Sequence, residues 1–164
     1  MTARFATTSL LIGNFVVGVS IVGPAGMLGD LAAGLGVTIA DVGLLITYGA
    51  VVLCFASPLM SWATSRIDRR LLLAGSLAII ALGNLASALA PNYAVLLVIR
   101  LLTMVVAAPY TPQAAGAAAL LVPPAARAKA IAYVFIGWSL SVAAGLPIIT
   151  FLAAHIGWRQ SYAA

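Results

Sequence analysis

Long apolar runs separated by short polar links set the pattern along this chain. A hydrocarbon core of about 30 Å needs about 20 helical residues at 1.5 Å rise each. Five stretches reach that length: about Ala6 to Leu28, Asp41 to Ala63, Leu71 to Ala90, Tyr93 to Val122 and Ala130 to Ala153. The fourth is interrupted by Pro109 and Pro112, and GWRQSYAA, from Gly157, has the pattern of the start of a sixth helix. The runs are too long for strands and lack period-two alternation, and an open sheet cannot satisfy its edges in lipid. The pattern therefore predicts an all-α, polytopic membrane bundle: five transmembrane helices plus the start of a sixth, one partial domain over residues 1–164. Short links predict that consecutive helices are antiparallel neighbours. The longest link, Gly29 to Ala40, holds Asp30 and leads into Asp41, placed where an anion would cap the second helix.

Composition agrees with a lipid solvent. The chain is 64% hydrophobic and 7% charged, with a mean hydropathy of +1.18. A soluble domain needs roughly 25% charged residues to cover its surface. A net charge of +5 would point to an acidic partner in a soluble protein. In a membrane protein it asks which side the basic residues occupy. Cys54 is the single cysteine, inside an apolar run, so no intrachain disulfide or thiolate metal site can form. The first apolar stretch is too long for a signal-peptide core, and no A-x-A cleavage site follows it.

The stretch SWATSRIDRR, Ser61 to Arg70, gathers Arg66, Asp68, Arg69 and Arg70 in a chain that otherwise avoids charge. With a cytoplasmic N-terminus, the inner segments hold Arg4, Arg66, Arg69, Arg70, Arg127 and Lys129. The outer ones hold Arg159 and Asp30. That asymmetry, in short loops, is the positive-inside bias, and it accounts for the cluster by topology alone.

Other residues carry a cost. Arg100 lies within the fourth helix, where a charge near mid-bilayer costs about 2.5 to 3.5 kcal/mol on insertion scales. It either snorkels outward as an interfacial anchor or faces a hydrated interior. Asn14 and Asn84 are mid-helix amides expected to face other helices, by interhelical hydrogen bonds or ligand contact. Tyr110 and Gln113 flank the proline break, where freed backbone groups line a cavity or find neighbours. Gly137, Ser141 and Gly145, spaced by four, form a stripe of small residues on the fifth helix, with Pro147 adding a bend. No enzymatic constellation is present: His155 is the single histidine, there is no Glu, and the three aspartates fall in or beside loops. No glycine-rich loop ending in Lys-Ser or Lys-Thr occurs. The reading is a non-enzyme with no cofactor, no metal and no nucleic-acid partner.

These features, in this order, resemble the N-terminal half of a major facilitator superfamily transporter, in the drug and sugar efflux group that includes arabinose-efflux-type permeases. The resemblance covers the whole chain. SWATSRIDRR occupies the place of the family's G-x-L-A-D-R-x-G-R-R signature, with Arg66, Arg69 and Arg70 at its basic positions. Ser61, Ser65 and Asp68 stand where the signature has its first glycine, its aspartate and its second glycine. Arg100 matches the arginine of the fourth-helix R-x-x-Q-G signature. Gly137 through Gly145 and Pro147 resemble the antiporter signature of helix five, its Gly-Pro pair split by Leu146. The GWR at Gly157 to Arg159 recurs at the turn between helices five and six of such permeases.

The resemblance implies about twelve helices in two halves that rock about a central site, driven by a proton gradient. In the family the inner-loop carboxylate and arginines form a charge network that stabilises one state of the cycle, the role expected of Arg66, Asp68, Arg69 and Arg70. On this reading the chain is an N-terminal segment in a bacterial inner membrane. Its partners are the lipid bilayer, the missing C-terminal half, a small organic substrate and protons. The pathway would pass between helices one, four and five, with Asn14, Arg100, Tyr110 and Gln113 along it. Asp30 is the candidate proton site. A competing class is a small non-transporting scaffold or assembly protein that uses the Gly137 stripe to bind a partner.

Overall fold

The computed structural model describes residues 3–163 and contains no strand among them. Its helices are α1 (Ala3–Gly26), α2 (Leu28–Leu35), α3 (Ile39–Ala63), α4 (Arg69–Ala88), α5 (Tyr93–Ala107), α6 (Tyr110–Leu120), α7 (Arg127–Leu140), α8 (Leu146–Ile156) and α9 (Trp158–Ala163). Five spans among the described residues are long and apolar enough to cross a membrane: Arg4–Gly26, Ile39–Ala63, Arg69–Ala88, Tyr93–Leu120 and Pro124–Ile156. Each meets the ~20-residue requirement of a hydrocarbon core.

The helix boundaries have local causes. The predicted link after the first span is itself helical. Leu28, Leu31 and Leu35 recur at helical spacing, and Leu31 and Ala32 are buried. Gly36 ends α2 at φ 65, a left-handed cap open to glycine, and its N–H bonds the Ala32 carbonyl. Thr38 then opens α3 with a capping box: its hydroxyl accepts from Asp41 N at 3.1 Å, and Asp41 Oδ2 accepts from Thr38 N at 2.9 Å. Asp41 thus caps from the third helical position, with Thr38 at the cap itself. Asp68 caps α4, its Oδ1 accepting from Arg70 N at 2.9 Å and Leu71 N at 3.3 Å. Asn92 caps α5 through Val95 N at 3.0 Å.

Packing departs from chain order. The third and fourth spans pack as neighbours, as do the fourth and fifth. Across the SWATSRIDRR link, however, α3 and α4 do not lie along each other; α3 packs on α5. A short link fixes only where two helices meet, and burial decides what each then follows. Val42, Leu45, Gly49 and Ala56 are the buried positions of α3, and Gly49 lies against Met104 of α5. Leu44, Tyr48, Val51, Phe55, Leu59 and Trp62 form an exposed stripe at spacings of three and four, an apolar face suited to lipid.

The α1 helix touches all four other spans and packs most closely on the fifth. The second span packs on the fourth, and the third on α9. Exchanging the first span with the fourth, the second with the fifth and the third with α9 turns the first–fifth pairing into the second–fourth pairing and returns the third–α9 pairing to itself. Because alternate spans run in opposite directions, this is the pattern of an inverted three-helix repeat.

Candidate functional site

Arg100 sits seven residues into the fourth span, about 10 Å along the helix at 1.5 Å per residue, and is 2% exposed. It turns inward. Nη1 donates to Asn84 Oδ1 on α4 at 3.0 Å, and Nη2 donates to the Ser20 carbonyl on α1. The Ser20 hydroxyl donates to the same Asn84 oxygen at 2.9 Å. The guanidinium carbon lies 5.4 Å from the centroid of the Tyr162 ring on α9. Arg100 Nε and Tyr162 Oη are buried, each without a hydrogen-bond partner. Both acceptors of the guanidinium are therefore neutral oxygens, and α1, α4, α5 and α9 converge on it.

Two cavities adjoin the cluster. One of about 140 Å³ is lined by Arg100 together with Ile21, Leu45, Gly49, Leu53 and Met104. The other, about 230 Å³, is lined by Ser20, Asn84 and Tyr162 with Phe15, Met27 and Ser161. The first is almost wholly apolar apart from the guanidinium. The second takes its polar wall from the arginine's partners.

The position of Tyr162 depends on the turn before it. Gly157 has φ 87 and ψ 157, a backbone region essentially reserved for glycine. Trp158 is buried, its indole against Gly34 of α2. Arg159 Nη1 donates to the carbonyls of Ala88 at 2.9 Å and Ala90 at 2.8 Å, which end α4. Its guanidinium carbon also stacks 4.2 Å over the Trp158 ring. Carbonyls at a helix C-terminus favour a cation, so this arginine clasps α9 onto α4.

The other sequence-predicted positions lie apart from Arg100. Asn14, 0% exposed, donates from Nδ2 to the Val134 carbonyl at 3.1 Å and accepts from Thr111 at 2.7 Å. It joins α1, α6 and α7 about 9 Å along α1 from Ser20. Tyr110 is buried with its hydroxyl against Gly13, and Gln113 is half-buried one turn further along α6. None of the three lines either cavity beside Arg100. Pro109 and Pro112 lack the N–H groups that Val105 and Ala108 would accept. The span nonetheless continues through the break, with Gln113 N bonding the Pro109 carbonyl at 3.1 Å.

The fifth span bends at Ser141–Gly145, a π-helical turn in which Leu146 N–H reaches the Ser141 carbonyl. Pro147 follows and cannot donate to Ala143, so the widened turn absorbs the missing bond. Gly137 meets the α1 backbone at Leu11, Ser141 lies against Gly18, and Gly145 against Val19. Arg66, Arg69 and Arg70 are exposed, and Arg69 reaches toward Gly116 of α6. Asp68 is occupied by the α4 cap. Asp30 is exposed on α2, away from the arginine.

Sequence reading placed Arg100 but omitted Ser20 and Tyr162 and left Asn84 without a partner. Asn84 carried a signal, as an amide inside an apolar helix. Ser20 acts through its backbone carbonyl as well as its hydroxyl, and Tyr162 joins only because α9 folds back.

Comparison with known proteins agrees with this architecture. The family model of the Major Facilitator Superfamily matches residues 10–164. The inner membrane transport protein YdhP of Escherichia coli (strain K12) is 36% identical over 164 residues, covering 100% of this chain and 42% of YdhP. The uncharacterized MFS-type transporter YfhI of Bacillus subtilis (strain 168) is 31% identical over 161 residues, 98% of this chain and 41% of YfhI. The chloramphenicol efflux pump Rv0191 of Mycobacterium tuberculosis (strain ATCC 25618 / H37Rv) is 34% identical over 161 residues, 96% of this chain and 39% of the pump. The chain thus spans about two fifths of the length of these relatives. With a family match over nearly its whole length and five apolar spans, this chain belongs to the major facilitator superfamily and is a multi-pass membrane protein.

Proposed function

We propose that this chain is the N-terminal part of a proton-linked efflux permease for a small organic solute, set in a bacterial inner membrane with its N-terminus cytoplasmic. The observation that carries the reading is the buried Arg100 guanidinium, bound to neutral oxygens and retaining a free Nε. A cation inside a membrane span is expensive, and such residues mark substrate, ion or proton pathways. Its unsatisfied donor favours an acceptor or anionic group, on the solute or on the remainder of the protein. The names of the relatives YdhP and Rv0191, a transport protein and an efflux pump, support transport and export.

The other predicted positions take roles around that centre. Arg66, Asp68, Arg69 and Arg70 would act in switching between states, Arg69 from its place beside α6. The Gly137, Ser141, Gly145 and Pro147 segment would be a moving interface against α1, since a π-helical turn before a proline is a natural point of flexure. Asn14, Tyr110 and Gln113 would border the inner part of the pathway. Asp30 stays the candidate carboxylate for protons.

The test is transport by the full-length parent in proteoliposomes under an imposed pH gradient. Arg100→Ala is expected to lower solute flux at least about tenfold, the effect of about 1.4 kcal/mol. Flux at the normal rate with normal proton dependence would remove Arg100 from the pathway. Orientation is tested separately: a thiol at the exposed Gly29, where nothing lies within 4 Å of an added side-chain carbon, should react with an impermeant reagent outside intact cells, and one at Arg69 should not. A coding sequence beyond Ala164 that continues into about six further apolar segments is expected for a complete two-half transporter.

A further inference from the structure

A third cavity, about 520 Å³, opens between the start of α1 and the start of α7, lined by Arg4, Thr7, Thr8, Lys129 and Tyr133 over an apolar floor that includes Val122 and Ala130. Both helices begin odd-numbered spans, so their first turns lie at the same end of the bundle as the SWATSRIDRR link. We propose that this cavity binds a phosphate-bearing anion, a phosphate mono- or diester.

The donor set fits that chemistry. Arg4 offers a guanidinium fork suited to phosphate oxygens, and Lys129 a compact ammonium. The Thr8 hydroxyl already donates to the Arg4 carbonyl at 2.9 Å, and its oxygen lies 3.4 Å from Tyr133 Oη. With the Thr8 proton committed, the phenol keeps its own proton to give to Thr8 or to a ligand. Among the described residues no carboxylate lines the cavity. Asp68, the one acidic residue at this end, is engaged at the first turn of α4. The positive ends of α1 and α7 reinforce the two cations. The apolar floor accepts a glycerol or acyl segment next to the phosphate. Basic pockets between membrane helices on the cytoplasmic side bind acidic headgroups by the same chemistry.

The ligand has two sources, an acidic phospholipid or a soluble phosphate ester, and two probes separate them. The chain is placed in nanodiscs of phosphatidylcholine with phosphatidylglycerol titrated in, and retained lipid is counted by native mass spectrometry. Glycerol phosphate is titrated in nanodiscs of phosphatidylcholine alone, with thermal stability as the readout. Saturable retention of phosphatidylglycerol assigns the site to lipid. A saturable thermal shift with glycerol phosphate assigns it to a soluble ester. In either case the double variant Arg4→Gln/Lys129→Gln should weaken the response about thirtyfold, from about 1 kcal/mol for each basic residue near an anionic surface. Tyr133→Phe should weaken it severalfold, and it carries the test if circular dichroism shows that the double variant unfolds. Arg66→Gln/Arg70→Gln removes the same charge from the same end and should leave the response intact. The proposal fails if Arg4→Gln/Lys129→Gln behaves as wild type toward both probes. It also fails if the Arg66/Arg70 control falls as far, since the effect would then be diffuse surface charge. Neither readout involves transport, so the result stands apart from the fate of the permease reading.

Discussion

Arg100 and Tyr162, on helices separated by the whole of the fifth span, meet as a cation over an aromatic ring, 5.4 Å from guanidinium carbon to centroid. Both are nearly inaccessible, at 2% and 7%. A cation–π contact is worth about 0.5–1 kcal/mol when exposed and about 2 kcal/mol when desolvated. The phenol oxygen lacks a partner, so it is the ring face that the fold uses.

Tyr162→Phe should therefore keep stability, or raise it slightly, because it deletes a buried unpartnered hydroxyl while preserving the ring. Tyr162→Leu should lose about 2 kcal/mol from the contact, with a further loss for imperfect packing. Unfolding by sodium dodecyl sulfate titration in mixed micelles distinguishes the two. Equal losses would mean that the hydroxyl, and not the ring, makes the important contact.

Asn84 Oδ1 serves two donors, the Ser20 hydroxyl and Arg100 Nη1. Asn84→Leu strips both and leaves a buried cation short of an acceptor, at a cost of about 1–3 kcal/mol or more. Ser20→Ala removes a single hydroxyl bond while the Ser20 carbonyl still receives Nη2, and should cost about 0.6 kcal/mol, the average for such bonds in membranes. The same micelle titration reads the ordering. A larger effect at Ser20 than at Asn84 would contradict the shared-acceptor geometry.

A methyl group at Gly137 would meet the Leu11 carbonyl and, at 3.0 Å, the Phe15 backbone nitrogen. Neither can move without shifting α1, so Gly137→Ala should destabilise by about 1–3 kcal/mol, the usual range for overpacking. Gly43→Ala is the control, since nothing lies within 4 Å of a methyl group there. It should be neutral or gain up to about 1 kcal/mol from helix propensity. Similar outcomes at the two sites would show that α1 and α7 are not in close contact.

Arg159→Gln removes a cation that bonds the Ala88 and Ala90 carbonyls. Hydrogen bonds to charged groups contribute about 1.5–3 kcal/mol, and without them α9 should loosen and carry Tyr162 away from Arg100. Hydrogen–deuterium exchange across residues 158–163 should rise, while exchange in α3 stays unchanged. Gly157→Ala should produce the same local loosening through backbone strain of about 1–3 kcal/mol. Undiminished protection in both variants would show that α9 is held by something other than this clasp.

The sequence by itself determined the membrane class, the five spans and the asymmetry of basic loops, because each depends on local composition. One apolar run per crossing is a property of about twenty adjacent residues. The caps at Asp68 and Asn92 came from the structure, but the bend at Pro147 and a capping role for Asp41 were legible on the same footing. Neighbours were not. Apolar helix surfaces are interchangeable in lipid, so hydrophobicity cannot say that α3 leaves α4 to follow α5; the short helix α2 did leave a trace, in Leu28, Leu31 and Leu35 at helical spacing. Only the tertiary structure decided that Arg100 turns inward to a serine carbonyl, an asparagine amide and a tyrosine ring, while Asn14 and Tyr110 pack elsewhere. Those partners lie on different spans, and a buried charge is satisfied by whichever polar groups the folded backbone brings within hydrogen-bond reach, at separations no local pattern records.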